Sequence, residues 1–202
     1  MDAVTHDPRS DADLVAGIAA GDSAAFVTLF RRHRLPVYRF AFHMAGLEAT
    51  AEDVTQEVFL AVMDEAGRYD ARRGSVIGWL CGITRNLVRR RLERERFLQP
   101  LGDDHEGQVP QAVSDPLADL AQAERIGLLR RAVMSLPPRY REAVLLCDLQ
   151  ELSYTEAAAA LDCAVGTVRS RLHRGRALLA AKLRASELGQ SRLKVPSTRC
   201  FA

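Results

Sequence analysis

The chain has 202 residues, room for one large or two small domains. Apolar residues make up 48% and the formal net charge is only +2, so cores can be buried and a global polycation is excluded. No run approaches the roughly 18 apolar residues of a membrane span, and the N-terminal MDAVTHDPRSDADL lacks a charged-then-apolar signal peptide. The expectation is a cytoplasmic protein without membrane insertion.

Residues 10–97 read as helical throughout. Phe26, Leu29, Phe30, His33, Val37, Phe40 and Ala41 recur at i, i+3, i+4, i+7 and mark one buried face. Pro36 is expected to kink or break that helix. Val54, Val58, Ala61 and Val62 mark a second helix, opened near Thr50 with Glu52 and Asp53 in its first turn. Trp79, Leu80, Ile83, Leu87 and Val88 mark a third, with Trp79 on the apolar stripe as a core anchor. It runs into RNLVRRRLERER (85–96), which holds six Arg against two Glu, or +4. Between the last two helices lies a polar loop, Gly67 to Ser75.

Residues 97–124 invert the charge, with six acids and no Lys or Arg. Pro100, Pro110 and Pro116 make about 98–118 read as an acidic flexible linker. Helices follow around 119–135 and 138–150, separated by Leu136-Pro137-Pro138. Ser153 and Glu156 have capping-box spacing, ahead of the small helix formers Ala157 to Leu161. Asp162 to Gly166 interrupt the run, and a second helix begins near Thr167.

From Val165 to Arg184 there are five Arg, one Lys and no acid. Arg169, Ser170, Arg171, His173, Arg174 and Arg176 lie largely outside the stripe of Val168, Leu172, Leu179, Ala180 and Leu183. A merely solvated basic face is the plain alternative. The absence of i,i+4 acidic partners and the capped small-residue helix ahead of it favour a helix-turn-helix, about 154–176, with its basic helix in a major groove. Residues 185–202 show no clear period and are expected to be a disordered tail.

The cysteines, Cys81, Cys147, Cys163 and Cys200, are far apart and form no CxxC pair. The histidines are scattered, and no Gly-rich phosphate loop or acid-base constellation appears. No catalytic residue, metal site or cofactor is expected.

Four stretches carry a resemblance. Asp53-Val54-Thr55-Gln56-Glu57-Val58-Phe59 resembles the D-x-x-Q-E-x-F signature of bacterial RNA polymerase sigma factors. Trp79-Leu80-Cys81-Gly82-Ile83-Thr84-Arg85-Asn86 resembles the W-L-x-x-I-x-R-N stretch of the extracytoplasmic-function group. Leu136 to Glu142 and Gly166 to Arg171 resemble that group's C-terminal signatures. The four stand in order and cover residues 10–184.

The resemblance implies an all-α fold: two small helical domains joined by an acidic flexible linker, the second ending in the helix-turn-helix. Region 2 corresponds to 10–97 and region 4 to 119–184. It further implies that Asp53, Gln56, Glu57 and Leu60, which share one helix face, dock on RNA polymerase core. An acid-amide face suits an arginine-rich partner, although a solvated face remains the alternative for that helix taken alone. Tyr69, Asp70, Arg72 and Arg73 of the loop, with Arg85, Asn86, Arg89 and Arg90, would read the downstream promoter element as single strand. Thr167, Arg169, Ser170, Arg171, His173, Arg174 and Arg176 would read the upstream element as duplex. The linker would either thread the polymerase cleft or act as a spacer. Promoter DNA and polymerase core are the implied partners, with an anti-sigma factor as a third. The competing class is a stand-alone helix-turn-helix regulator, which needs an effector or dimerisation domain in place of residues 10–97.

Overall fold

The computed structural model describes residues 7–98 and 116–193, and every regular element among them is helical. The expected linker falls mostly on residues 99–115, which lie outside the described residues, as does Cys200.

Helix α1 (Asp11–Ala19) opens on a capping box: Ser10 Oγ accepts from the Asp13 amide while Asp13 accepts from the Ser10 amide. Helix α2 (Ser23–Ala45) is capped by Asp22, whose Oδ1 accepts from the amides of Ala24 and Ala25. Of the kink or break expected at Pro36, the break does not occur: α2 continues through the proline. Leu29 and His33 before the proline, and Val37 and Phe40 after it, are buried in the same core. That shared burial offsets the one lost backbone hydrogen bond. His33 Nε2 lies 2.7 Å from Asp11, tying α2 to α1.

Gly46 ends α2 at φ +83 and donates to Phe42 O, a left-handed C-cap that glycine adopts without a Cβ penalty. Helix α3 (Glu48–Glu65) follows at once, so it starts earlier than expected. Thr50 is a buried first-turn residue and not the cap. A 3₁₀ turn (Ala66–Arg68) and the polar loop lead to α4 (Val76–Leu98).

After the undescribed segment come α5 (Pro116–Met134) and α6 (Pro138–Val144), which opens on Pro138 at its first position. The backbone then widens into a π turn over Leu145–Leu149, within the single helix expected there. Helix α7 (Tyr154–Leu161) carries the expected capping box of Ser153 and Glu156. Asp162, at φ +50, makes the tight turn into α8 (Val165–Leu193). Helix α8 thus passes residue 184, where the apolar period ends. Strong helix formers and the absence of proline before Pro196 sustain it.

Residues of both domains share one core. Leu14, Leu29, Phe40, Val54, Val58 and Leu80 join Leu146, Leu152, Ala157, Leu161 and Val168 in a single buried cluster. A smaller cluster, Leu136, Ala143, Val144 and Leu172, holds α6 against α8. There a Cβ on Gly175 would stand 2.8 Å from Val144 Cγ2 and 3.2 Å from Tyr140 O, so only glycine permits the approach. Arg141 of α6 donates to Met44 O at the end of α2 (3.0 Å), to Met134 O at the end of α5 and to Leu136 O (3.1 Å). Gln150 Nε2 donates to Pro36 O at 3.2 Å.

Candidate nucleic-acid interface

Helix α3 presents two unlike faces. Val54, Val58 and Val62 are buried, whereas Asp53, Gln56, Glu57 and Leu60 are all exposed. Leu60 is 62% exposed, and Met63, one turn on, is 55% exposed. The face is therefore acidic at one end and apolar at the other. Arg91 of α4 meets it: Nη2 lies 2.5 Å from Asp53 Oδ2 and Nη1 3.5 Å from Glu57 Oε1. Neither Met63 nor Arg91 was singled out in the sequence. Met63 could have been found by extending the i, i+3, i+4, i+7 face by three residues. Nothing local signals Arg91, which is 38 residues from Asp53.

The loop is built by its own side chains. Asp70 Oδ1 accepts from the Arg72 amide and Nε, both at 3.0 Å, and Asp70 O accepts from the Arg73 amide. The Arg72 contact holds the Asp70 carboxyl below its ordinary range. Arg72 and Arg73 are fully on the surface. Tyr69 is half-buried, donates its hydroxyl to Gly74 O at 3.0 Å and packs 5.3 Å from the Trp79 ring. Trp79 is half-buried and packed against the core, while still bordering the loop.

On α4, Asn86, Arg89 and Arg90 are exposed and form a surface track. Arg85 departs from it. Its side chain is only 11% exposed, and Nε lies 3.0 Å from Oε2 of Glu142, itself 5% exposed. The reason is helical register. Arg85 falls at i+7 from Gly78 and i+3 from Gly82, on the face that α6 and α7 cover. The Nε–H is buried without an aligned hydrogen bond, so the contact is an ion pair by proximity.

In α8, Val168, Leu172 and Gly175 face inward. Ser170, His173 and Arg174 lie near the centre of the outer face and are exposed; Arg169 and Arg176 are exposed on one flank. Thr167 and Arg171 occupy the other flank and are half-buried. Arg169 lies 5.6 Å from the Tyr154 ring centre. Arg176 pairs with Asp148 at 2.5 Å, an acid supplied by the π turn and not by the helix itself. Arg174 contacts the Tyr140 hydroxyl and lowers its pKa. The outer face thus combines one imidazole, one hydroxyl and several guanidinium groups, the donor set that reads base edges and phosphates.

Among the described residues no group of three or more His, Cys, Asp or Glu could hold a metal ion, and no helix is long and apolar enough to cross a membrane.

Residues 29–97 match the model of sigma-70 region 2, and residues 126–179 that of sigma-70 region 4. The chain is 42% identical over 183 residues to the ECF RNA polymerase sigma factor SigE of Mycolicibacterium smegmatis, covering 86% of this chain and 69% of SigE. The chain belongs to the ECF RNA polymerase sigma factors. This ECF sigma factor also shares its fold with CnrH, solved in complex with the cytosolic domain of CnrY, at a TM-score of 0.65 and 27% identity over 87% of this chain and 97% of that one. RpoE of Bartonella quintana, solved with the anti-sigma factor NepR, shows the same fold at a TM-score of 0.64 and 21% identity, covering 79% and 96%. As a sigma factor, the protein directs promoter-specific initiation by RNA polymerase. The region 2 match occupies the place where a stand-alone regulator would need its effector domain, and that alternative is set aside.

Proposed function

We propose that this ECF sigma factor docks on polymerase core through Asp53, Gln56, Glu57 and Leu60 of α3. The 67–75 loop with Asn86, Arg89 and Arg90 reads the downstream element as separated strand. Helix α8 reads the upstream element as duplex. Its role is regulatory and not catalytic, and its place of work is the cytoplasm. An anti-sigma factor is its third partner, on the example of RpoE with NepR.

The observation that carries this reading is the outer face of α3. Burying a leucine is worth about 1.5–3 kcal/mol, yet Leu60 and Met63 stand in solvent beside two carboxylates. A partner surface that is apolar beside arginine would cover both. The double variant Asp53→Lys with Glu57→Lys tests it by core-binding titration. Loss of binding with an unchanged helical circular-dichroism signal is expected. Unchanged core affinity would overturn the docking assignment.

A further inference from the structure

One flank of α8 is braced from outside the helix. Arg169 and Arg176 stand seven residues apart, about two turns or roughly 10.5 Å along the axis. Each is met by a side chain of a different element. Asp148 grips Arg176 fork to fork: Arg176 Nε donates to Oδ2 at 3.1 Å and Nη2 to Oδ1 at 2.5 Å. Tyr154, the first residue of α7, sets its ring 5.6 Å from the Arg169 guanidinium carbon. Its hydroxyl is also close enough to act on the charge of Arg176. Asp148 belongs to the π turn, which the Gln150 amide closes by donating to Leu145 O at 3.0 Å. Leu145 and Leu146 of that turn stay buried, and Asp148 emerges next to Arg176. Such widened turns recur at functional sites.

We propose that Asp148 and Tyr154 are positioning residues for duplex DNA: they hold Arg176 and Arg169 preformed for the phosphate backbone, and so set the register of α8 in the groove. The inference rests on the reading of α8 as the duplex reader. A guanidinium is planar, so a carboxylate on its Nε–Nη2 side leaves the Nη1–Nη2 edge for a second two-point contact. Backbone phosphate is the ligand that suits it. Recognition helices meet base edges with their N-terminal residues, and Arg176 is the twelfth residue of α8. With Ser170, His173 and Arg174 facing the groove floor, the flank faces the strand that walls it. An arginine that is already held loses less conformational freedom on binding. Phosphate contacts carry no sequence information but fix register. Bracing them therefore sharpens the readout made by the central residues.

The test uses core polymerase loaded with the full chain and a duplex fragment carrying the upstream element. Asp148→Asn removes a negative charge beside the DNA, so on charge alone it should tighten binding to every sequence. Positioning demands the opposite sign. Binding to the promoter fragment should weaken about three- to fivefold, the range that a partly exposed pair supplies, and discrimination against single-base variants should fall with it. That loss should vanish in an Arg176→Ala background, where Asp148 has nothing to hold. Tyr154→Phe keeps the ring face and should bind as the parent does. Tyr154→Leu should bind about two- to fivefold more weakly, but not in an Arg169→Ala background. Core affinity should stay at the parent's value throughout, which separates positioning from a loss of fold. Tighter binding by Asp148→Asn, or equal weakening with and without Arg176, would overturn the role of Asp148. Tyr154→Phe as weak as Tyr154→Leu would overturn the part of the ring and assign it to the hydroxyl. Should Ser170→Ala, Arg174→Ala and Arg176→Ala all bind as the parent does, the reading of α8 itself fails and the positioning falls with it.

Discussion

Arg91 of α4 bridges to Asp53 of α3 at 2.5 Å, placing a cation of the chain itself on the acidic end of the proposed docking face. Both side chains are partly in water, and such pairs contribute about 0–1 kcal/mol. Arg91→Ala should therefore change stability by less than about 1 kcal/mol in denaturant titration. It should also raise the salt sensitivity of core association, because two uncompensated carboxylates then meet the partner. A salt dependence identical to the parent's would argue that core does not meet this end of α3.

The α6–α8 contact makes a second expectation. Gly175→Ala gains about 1 kcal/mol of helix propensity but forces a Cβ to 2.8 Å from Val144. Overpacking costs about 1–3 kcal/mol, so the net change should be a small loss for alanine and a larger one for Gly175→Val. Thermal melts should order the series Gly, Ala, Val from most to least stable. A valine variant as stable as the parent would mean that α8 can move off α6 without cost.

At the loop, Arg72→Ala and Asn86→Ala should slow open-complex formation more than they weaken initial duplex binding. Both side chains are exposed, and Arg72→Ala also removes the surface ion pair to Asp70, which Asp70→Ala removes alone as the control. Permanganate footprinting of the melted region separates the two stages. Equal losses at both stages would indicate plain phosphate anchoring.

On α8, Arg174 stands near the centre of the outer face and Arg171 on its flank. Arg174→Ala should flatten preference at one upstream base pair, a loss of about 1–3 kcal/mol of discrimination. Arg171→Ala should weaken all sequences alike and lower the salt slope by about one. Competition binding against a set of single-base operator variants distinguishes these outcomes.

His43 gives a pH dependence. Its ring is mostly buried near Arg130 and Arg39, and burial first, then those charges, lower its pKa to about 4 from 6.5. Between those values the unfolded chain binds more protons than the folded one. Stability should be full above about pH 6.5 and fall as the pH drops toward 4. His43→Phe should flatten that part of the profile in pH-dependent melts. An unchanged slope would mean that another group dominates it.

The elements that the sequence revealed are those whose causes are local. The capping box of Ser153 and Glu156, the apolar period of α2 and the exposed acid face of α3 all arise within a few residues. What it concealed depends on distant partners. Asp148 pairs with Arg176 from 28 residues away, and Glu142 holds Arg85 from 57. Without those partners, Arg85 reads as one more member of a basic track. Pro36 likewise reads as a kink or a break, and that the helix continues through it follows only once the core on both sides is known.

Arg141 serves three chain segments with one guanidinium. Met44 O and Met134 O lie at the ends of α2 and α5, where helix dipoles concentrate negative potential. Two of its three acceptors, Met134 and Leu136, belong to its own domain, and only Met44 belongs to the first domain. If the domains part, the arginine surrenders one hydrogen bond and keeps the others, so it remains oriented and ready to reclaim Met44. The junction thus has the character of a reversible catch: separation leaves a preformed socket behind, and re-closure needs no rebuilding of α6.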